Sequence, residues 1–322
     1  MTMVSDFRME HLRGQLLKAL DVLSEHGLDA LLLKGSGLAL TVYESFSERP
    51  MIDVDLLAAP GQARRTWEVL RDAGWKPFHA QGLDPEFREV HHHHMTHLAD
   101  PAGTGFTLEV HTGLFVTAGP FQLDVEDIWR DAIQHEVEGR RFFTPSVAHQ
   151  VIHLSIHFAW SHLMDSAAWR TFRDIRFLIE KGLVDWEAVI DEAHRVRATT
   201  CVYWTLRLAR DVQGIEIPDW ILRRTAPPGP PWRLTQLARS YVACLSPLNT
   251  NSCPSVAGFR YIWKAGIQPK WSKHEGLLPW EVSDMEAEAV GKTITKPATL
   301  LQHMGRIPAW CRFLGTTIVG WR

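Results

Sequence analysis

Apolar residues recur at helical spacing across residues 6 to 26, at Leu12, Leu16, Leu17, Leu20, Val22 and Leu23, which predicts an amphipathic helix. The run "LDALLLKG" then reads as a short apolar strand ending at Gly35, and Ser36 is a good N-cap for a helix after it. "MIDVDLLA" alternates as a second strand does. "PGQARRTWEVLRDAGW" opens on proline and glycine, carries Trp67, Val69 and Leu70, and stops at Gly74, so a helix is expected. "MTHLAD" and "FTLEVHTG", joined by "PAGTG", predict a hairpin. A short helix near "VEDIWRDA" and a strand near "EVEGRRFFT" would complete this part.

From Pro145 the period changes. "SVAHQVIHLSIHFAWSHL", "AAWRTFRDIRFLIEKG", "DWEAVIDEAHRVR" and "TTCVYWTLRLARDVQG" are four successive helical patterns with short breaks. "APPGPPW" interrupts them at 226 to 232, "RLTQLARSYVACL" predicts one more helix, and "LNTNSCPS" and "QPKW" read as loops among a few short helices. No repeat of fixed period is present. The expected fold is α+β: a mixed sheet with flanking helices over residues 1–144, then an all-helical domain over 145–322. A chain of 322 residues is long enough for both.

Composition narrows the function classes. A net charge of -3 gives no generally basic surface, so nucleic acid is not an expected partner. No run of 18 apolar residues marks a membrane span, and the first residues lack the apolar segment of a signal peptide. Cys201, Cys244, Cys253 and Cys311 are far apart and form no CxxC pair, which fits a reduced, cytoplasmic protein. The fourteen tryptophans lie mostly in the second half at helical spacings and read as packing.

The chemistry concentrates in "KGSGLALTVYESFSERPMIDVDLL". Residues two apart in a strand share a face, so Asp53 and Asp55 project together with carboxylates roughly 5–7 Å apart. Two like charges that close call for a cation, and Mg2+ prefers carboxylate oxygen. Glu109, in "TLEVH", offers a third carboxylate on a later strand. Three such acids could hold two ions about 3.5–4 Å apart, the spacing used for in-line phosphoryl or nucleotidyl displacement. Gly35 and Ser36 stand at a strand-to-helix junction, where free N–H groups and a hydroxyl could meet a phosphate. Lys34 and Arg49 could neutralise it. By itself the same pattern also fits an ordinary turn at Gly35-Ser36 and the solvent face of an edge strand at Asp53 and Asp55.

The order Gly-Ser, helix, Asp-x-Asp strand, later acid resembles the polymerase-beta-like nucleotidyltransferase superfamily. More narrowly, "LLLKGSGLALTVYESFSERPMIDVDLL", "LEVHTGL" and "HLSIHFAWSH" are similar to an uncharacterised bacterial nucleotidyltransferase family, over about residues 10 to 215. The gap from Ser36 to Asp53 is longer than in many members of the superfamily, though it fits this subgroup. The resemblance implies a nucleotidyltransferase-type sheet, Mg2+ (or Mn2+) on Asp53 and Asp55, and Glu109 completing that site or acting as base. Gly35 and Ser36 would hold the phosphates of an NTP. It also implies a peptide or small-molecule acceptor, since members occur beside peptide and polysaccharide biosynthesis genes and some accompany lasso-peptide tailoring. Phosphoryl transfer on the same site, or a non-catalytic nucleotide-binding module, are the alternatives.

The remaining candidates are mostly histidines. In "HHHHMTHL", His91 to His93 read as solvated loop residues, and the resemblance favours His94 and His97 as lining the cleft. Zinc wants about four ligands, and no cysteine lies near. His111 shares the strand face of Glu109 and could touch phosphate or steady a carboxylate. His149, His153 and His157 form one helical stripe; the resemblance points to His153 and His157 as facing the cleft. Asp174, between Arg170 and Arg173 on an apolar helix, is expected in a buried salt bridge, with a cleft position as the alternative.

Overall fold

The computed structural model describes residues 3–77, 85–115, 121–162 and 169–227 of the chain. The helix expected at "RLTQLARSYVACL", the loops "LNTNSCPS" and "QPKW", and Cys244, Cys253 and Cys311 lie outside the described residues. Helix α1 (Met3–Glu25) leads into strand β1 (Leu31–Leu32), helix α2 (Lys34–Thr41) and strand β2 (Asp53–Leu57). Helix α3 (Ala63–Asp72), strand β3 (Lys76–Pro77), helix α4 (Pro85–His91), and strands β4 (Leu98–Ala99) and β5 (Thr107–His111) follow. Helix α5 (Val125–Arg130) and strands β6 (Ile133–Val137) and β7 (Arg140–Thr144) precede helix α6 (Val147–Ile156). Helices α7 (Arg170–Glu180), α8 (Trp186–Arg195), α9 (Thr199–Gln213) and α10 (Asp219–Thr225) complete the described chain.

The strands form one seven-stranded mixed sheet in the order β3-β4-β5-β2-β1-β7-β6. β2 runs parallel to β5, and β1 runs antiparallel to β2 and parallel to β7. The hairpin expected around "PAGTG" is present as the antiparallel pair β4–β5. The segment read as one strand, "EVEGRRFFT", is instead the hairpin β6–β7. It turns on Glu138 and Gly139, both at positive φ, 50° and 76°. Two such residues in succession match the twist of antiparallel strands, and Glu-Gly is a weaker signal for that turn than Asn-Gly. α4, β3 and α10 were not expected from the periodicity; each is too short to show one.

Alternation along β2 divides the interior. Val54 and Leu56 join a core with Leu12, Leu16, Leu20 and Leu23 of α1 and Trp67 and Leu70 of α3. Leu57 joins the opposite core, which runs through Leu31, Leu38 and Val42 into Ile152 and Ile156 of α6 and Phe172 and Ile175 of α7. Asp53 and Asp55, on the same side of the strand as Leu57, therefore face the helices that follow the sheet.

Helix α2 begins at Lys34, two residues before the expected start, with Leu33 at the N-cap position. Ser36 does not cap: its Oγ donates back to the Leu33 carbonyl at 3.1 Å. Lys34 itself sits at φ 45°, a left-handed conformation that strains a residue with a Cβ. The close approach in this turn is made at Gly37, where a Cβ would lie 2.7 Å from the Leu32 carbonyl oxygen.

One ion pair ties the loop before β2 to the later helices. Asp174 of α7, wholly buried, accepts from Arg49 Nε at 2.7 Å and Nη2 at 2.8 Å, and from the Tyr43 hydroxyl at 2.6 Å. The expected salt bridge of Asp174 is thus present, but its partner is distant in sequence. Arg170 and Arg173 reach the carbonyls of Pro50 and Glu48 instead. Removing one member of a buried pair strands the other's charge. Asp174→Ala is therefore expected to destabilise the fold by about 3–5 kcal/mol, read as a lower urea midpoint; a change near zero would contradict the clamp.

A second tie joins α6 to α8, where His149 Nε2 lies 3.0 Å from Glu192 Oε1 and Arg195 also holds that carboxylate. Burial opposes ionisation of Glu192, but the hydrogen bonds from His149 and Arg195 outweigh it and bring the carboxyl down to about 2. A carboxyl held low in the fold contributes stability that is complete above its unfolded value, near 4.5, and disappears as pH falls to about 2. Glu192→Gln is expected to be less stable than the parent at neutral pH, with the gap closing across that window. Denaturant titrations at stepped pH measure it, and a constant gap would refute the assignment.

Candidate active site

β2 and β5 are in parallel register with Asp55 opposite Glu109 and Leu57 opposite His111. The expected acids thus occupy adjacent strands on one sheet face. Asp55 is 6% exposed, and its Oδ1 meets both Lys34 Nζ at 3.0 Å and His111 Nε2 at 2.9 Å. Burial alone would raise this carboxyl, yet Lys34 and His111 hold it well below the usual carboxylate range. Asp53 goes the other way. Burial and then the charge of Asp55 raise its carboxyl, with Lys34 and Arg170 in partial opposition. Glu109 is pushed up to about 7 by burial, then by Asp55 and Asp53. Three crowded carboxylates with too little positive charge around them form a donor set suited to a hard divalent cation.

Asp53 and Asp55 look into a cleft. Its near wall is Lys34 and Gly35 at the start of α2, with Arg49 and Met51; its far wall is Leu154, His157, His162, Arg170 and Thr171. Ser36 is 1% exposed, and its hydroxyl turns toward the Leu33 and Asp55 carbonyls rather than into the cleft. Arg49 lines the cleft, but its Nε and Nη2 are engaged by Asp174, so it builds the wall. Asp174 itself lies behind that wall.

The far wall depends on an irregular turn. After α6 the helix loosens to a π turn over His157–Ser161, closed by the His162 N–H donating to the His157 carbonyl at 2.9 Å. Such single π turns place side chains that a regular helix would separate. Here the two ring nitrogens of His157 and His162 lie 3.1 Å apart at the cleft. Burial, then the charge of Lys34, lowers His157 and His153 well below the ordinary histidine value, so both are neutral. His153 is buried with its ring edge-on to Phe115 and stands behind His157. His162, Arg170 and Thr171 were not singled out for the cleft by sequence reasoning. The only trace of His162 in the sequence is its place at the end of the histidine-rich segment, out of the i, i+4 stripe.

The histidine run flanks the acids on the other side. Its backbone is stitched to β5 by bonds from Met95 N to Val110 O at 2.8 Å and from Thr112 N to His93 O at 2.9 Å. His93, expected to be solvated, is half-buried against His111, with ring centroids 5.7 Å apart. Burial, then neighbouring histidines, lowers it to about 2. His94 falls to about 3, chiefly through burial. His97 Nε2 lies 3.3 Å from Glu109 Oε1. Among the described residues, two groups bring ligand atoms within 4.8 Å of one another: Asp55 with Glu109 and His111, and His94 with His97 and Glu109. Glu109 belongs to both, while Asp53 stands outside these tightest groups.

No curated protein and no solved structure matches the chain. The model of a family described as "Uncharacterised nucleotidyltransferase" matches residues 4–214, a span that contains the acid strands, the cleft and the helices around it. With its acids, cleft and flanking helices all inside that match, the chain belongs to this nucleotidyltransferase family.

Proposed function

We propose that the protein transfers a nucleoside monophosphate group from an NTP to a peptide or small-molecule acceptor, releasing pyrophosphate. The observation that carries this reading is the register of Asp55 against Glu109, with Asp53 and Asp55 lining a cleft that also presents Lys34 and Arg170. Carboxylates with Lys34 beside them and Arg170 on the far wall suit a triphosphate approached by an oxygen nucleophile.

In the reaction an acceptor oxygen, giving up its proton to Glu109 or to solvent, attacks the α-phosphorus, the bond to the β-phosphate bridging oxygen breaks, and pyrophosphate leaves. Asp53, Asp55 and Glu109 would hold Mg2+, which when bound would supply charge neutralisation and polarisation of the phosphoryl oxygens. Lys34 and Arg170 are placed to bind the β- and γ-phosphates of the NTP. His157, uncharged, can offer an N–H to a phosphate oxygen without adding repulsion toward Lys34. His111 fixes the orientation of Asp55 through the 2.9 Å contact. The clamp of Arg49 on Asp174 keeps the cleft walls in place before substrate arrives, so the chemistry rests on positioning and electrostatics. The backbone of Gly35 borders the cleft, whereas Ser36 supports the turn from within.

Asp53→Asn is expected to fold normally and to lose at least about 100-fold in transfer. The assay follows label from an α-32P NTP and, in parallel, from a γ-32P NTP into a peptide and metabolite extract, together with pyrophosphate release. Full activity in this variant would end the proposal; label transferred only from the γ-phosphate would point to phosphoryl transfer. Arg170→Gln should raise KM for the NTP about tenfold with a smaller change in kcat, as expected for a residue that binds ground state and transition state alike. A loss confined to kcat would contradict that role.

A further inference from the structure

We propose that His94, His97 and Glu109 form a second metal site, chemically distinct from the acid pair's and suited to a borderline transition ion, Zn2+ above all. Glu109 presents its two oxygens to different neighbours: Oε1 lies 3.3 Å from His97 Nε2, and Oε2 lies 3.8 Å from His111 Nε2. It can therefore serve the histidine pair with one oxygen and the Asp55 side with the other. The ring centroids of His94 and His97 are 4.8 Å apart, and a ligand atom from each of the three residues lies within 4.8 Å of the others.

His94 is oriented before any ion arrives. His94 Nδ1 lies 2.8 Å from the Met95 carbonyl. A neutral imidazole that donates there carries its lone pair on Nε2, the outer-shell device that sets a metal-ligating tautomer. The segment holding both rings is anchored at several points: Met95 N bonds the Val110 carbonyl, His94 bridges to His111, and Trp67 Nε1 donates to the Thr96 carbonyl at 2.7 Å. Met95 and Leu98 are fully buried beside them. A segment anchored this way limits the freedom the ligand pair loses on binding.

Ligand type separates this site from its neighbour. Two imidazole nitrogens and one carboxylate oxygen are a poor set for Mg2+, which takes oxygen, and a good one for Zn2+. Three protein ligands also leave a coordination position open, as in zinc sites that bind substrate or water rather than purely structural ones.

The test is calorimetric titration of the full chain with Zn2+, followed by Co2+ substitution and its visible spectrum as a report of nitrogen ligation. The parent should bind one tight equivalent. His94→Ala with His97→Ala should weaken that equivalent at least 100-fold, more than the loss of an outer-shell partner. His97→Gln, which keeps a polar side chain of similar size, should also weaken it, with an unchanged circular dichroism spectrum excluding misfolding. His91→Ala with His92→Ala should leave it intact, as should Asp53→Asn. The proposal is overturned if no tight equivalent exists, if affinity follows His91 and His92 (an adventitious ion only), or if the folded His97→Gln variant binds as the parent does. Because the readout is ion binding, absence of nucleotidyl transfer in zinc-binding protein would count against the proposed function and not against this site.

Discussion

The constraint on which the structure turns is electrostatic: a sheet face that must bury carboxylates. Asp55 is almost inaccessible, Glu109 stands beside it in register, and Asp53 follows on the same face. Carboxylates taken out of water are costly unless positive charge or hydrogen-bond donors meet them. Lys34 and His111 meet Asp55, while Asp53 and Glu109 are left with raised proton affinity. The surrounding elements answer this constraint. The strained Lys34 brings an ammonium to the strand, Gly37 lets α2 close onto β1, and the Arg49–Asp174 pair steadies the loop that carries the chain into β2.

Much of this was legible in the sequence because it follows from the period of a strand. Asp53 and Asp55 had to share a face, and an acid in a second apolar strand could join them if the strands were neighbours. The long helices after Pro145 were legible for the corresponding reason at the helical period. What remained hidden depends on contacts the sequence does not order. Arg49 and Asp174 are 125 positions apart, so the buried pair could be suspected from one member but its partner could not be named. Ser36 has the composition of a cap and a phosphate donor, yet its hydroxyl satisfies the turn's own carbonyl. Gly35 drew attention as the glycine of the turn, while the short contact to backbone belongs to Gly37.

The histidines show the same limit. A regular helix predicts a stripe at His149, His153 and His157, but the first is tied to Glu192 and the second is buried behind the third. The π turn then replaces the regular continuation and pairs His157 with His162 at the cleft. His91 to His93 were expected in solvent; backbone bonds to β5 instead draw His93 against the acid strands, beside His94. Local irregularity, set by tertiary pairing, decided which rings reach the site.

The central claim is that these acids act on the α-phosphate of a nucleotide. Its most direct test is an experimental structure of the full chain with Mg2+ and an NTP analogue whose α- and β-phosphorus atoms are bridged by carbon. The α-phosphate is expected beside Asp53 and Asp55, with the β- and γ-phosphates along Lys34 and Arg170. A γ-phosphate nearest the acids, or a triphosphate bound outside this cleft, would contradict it.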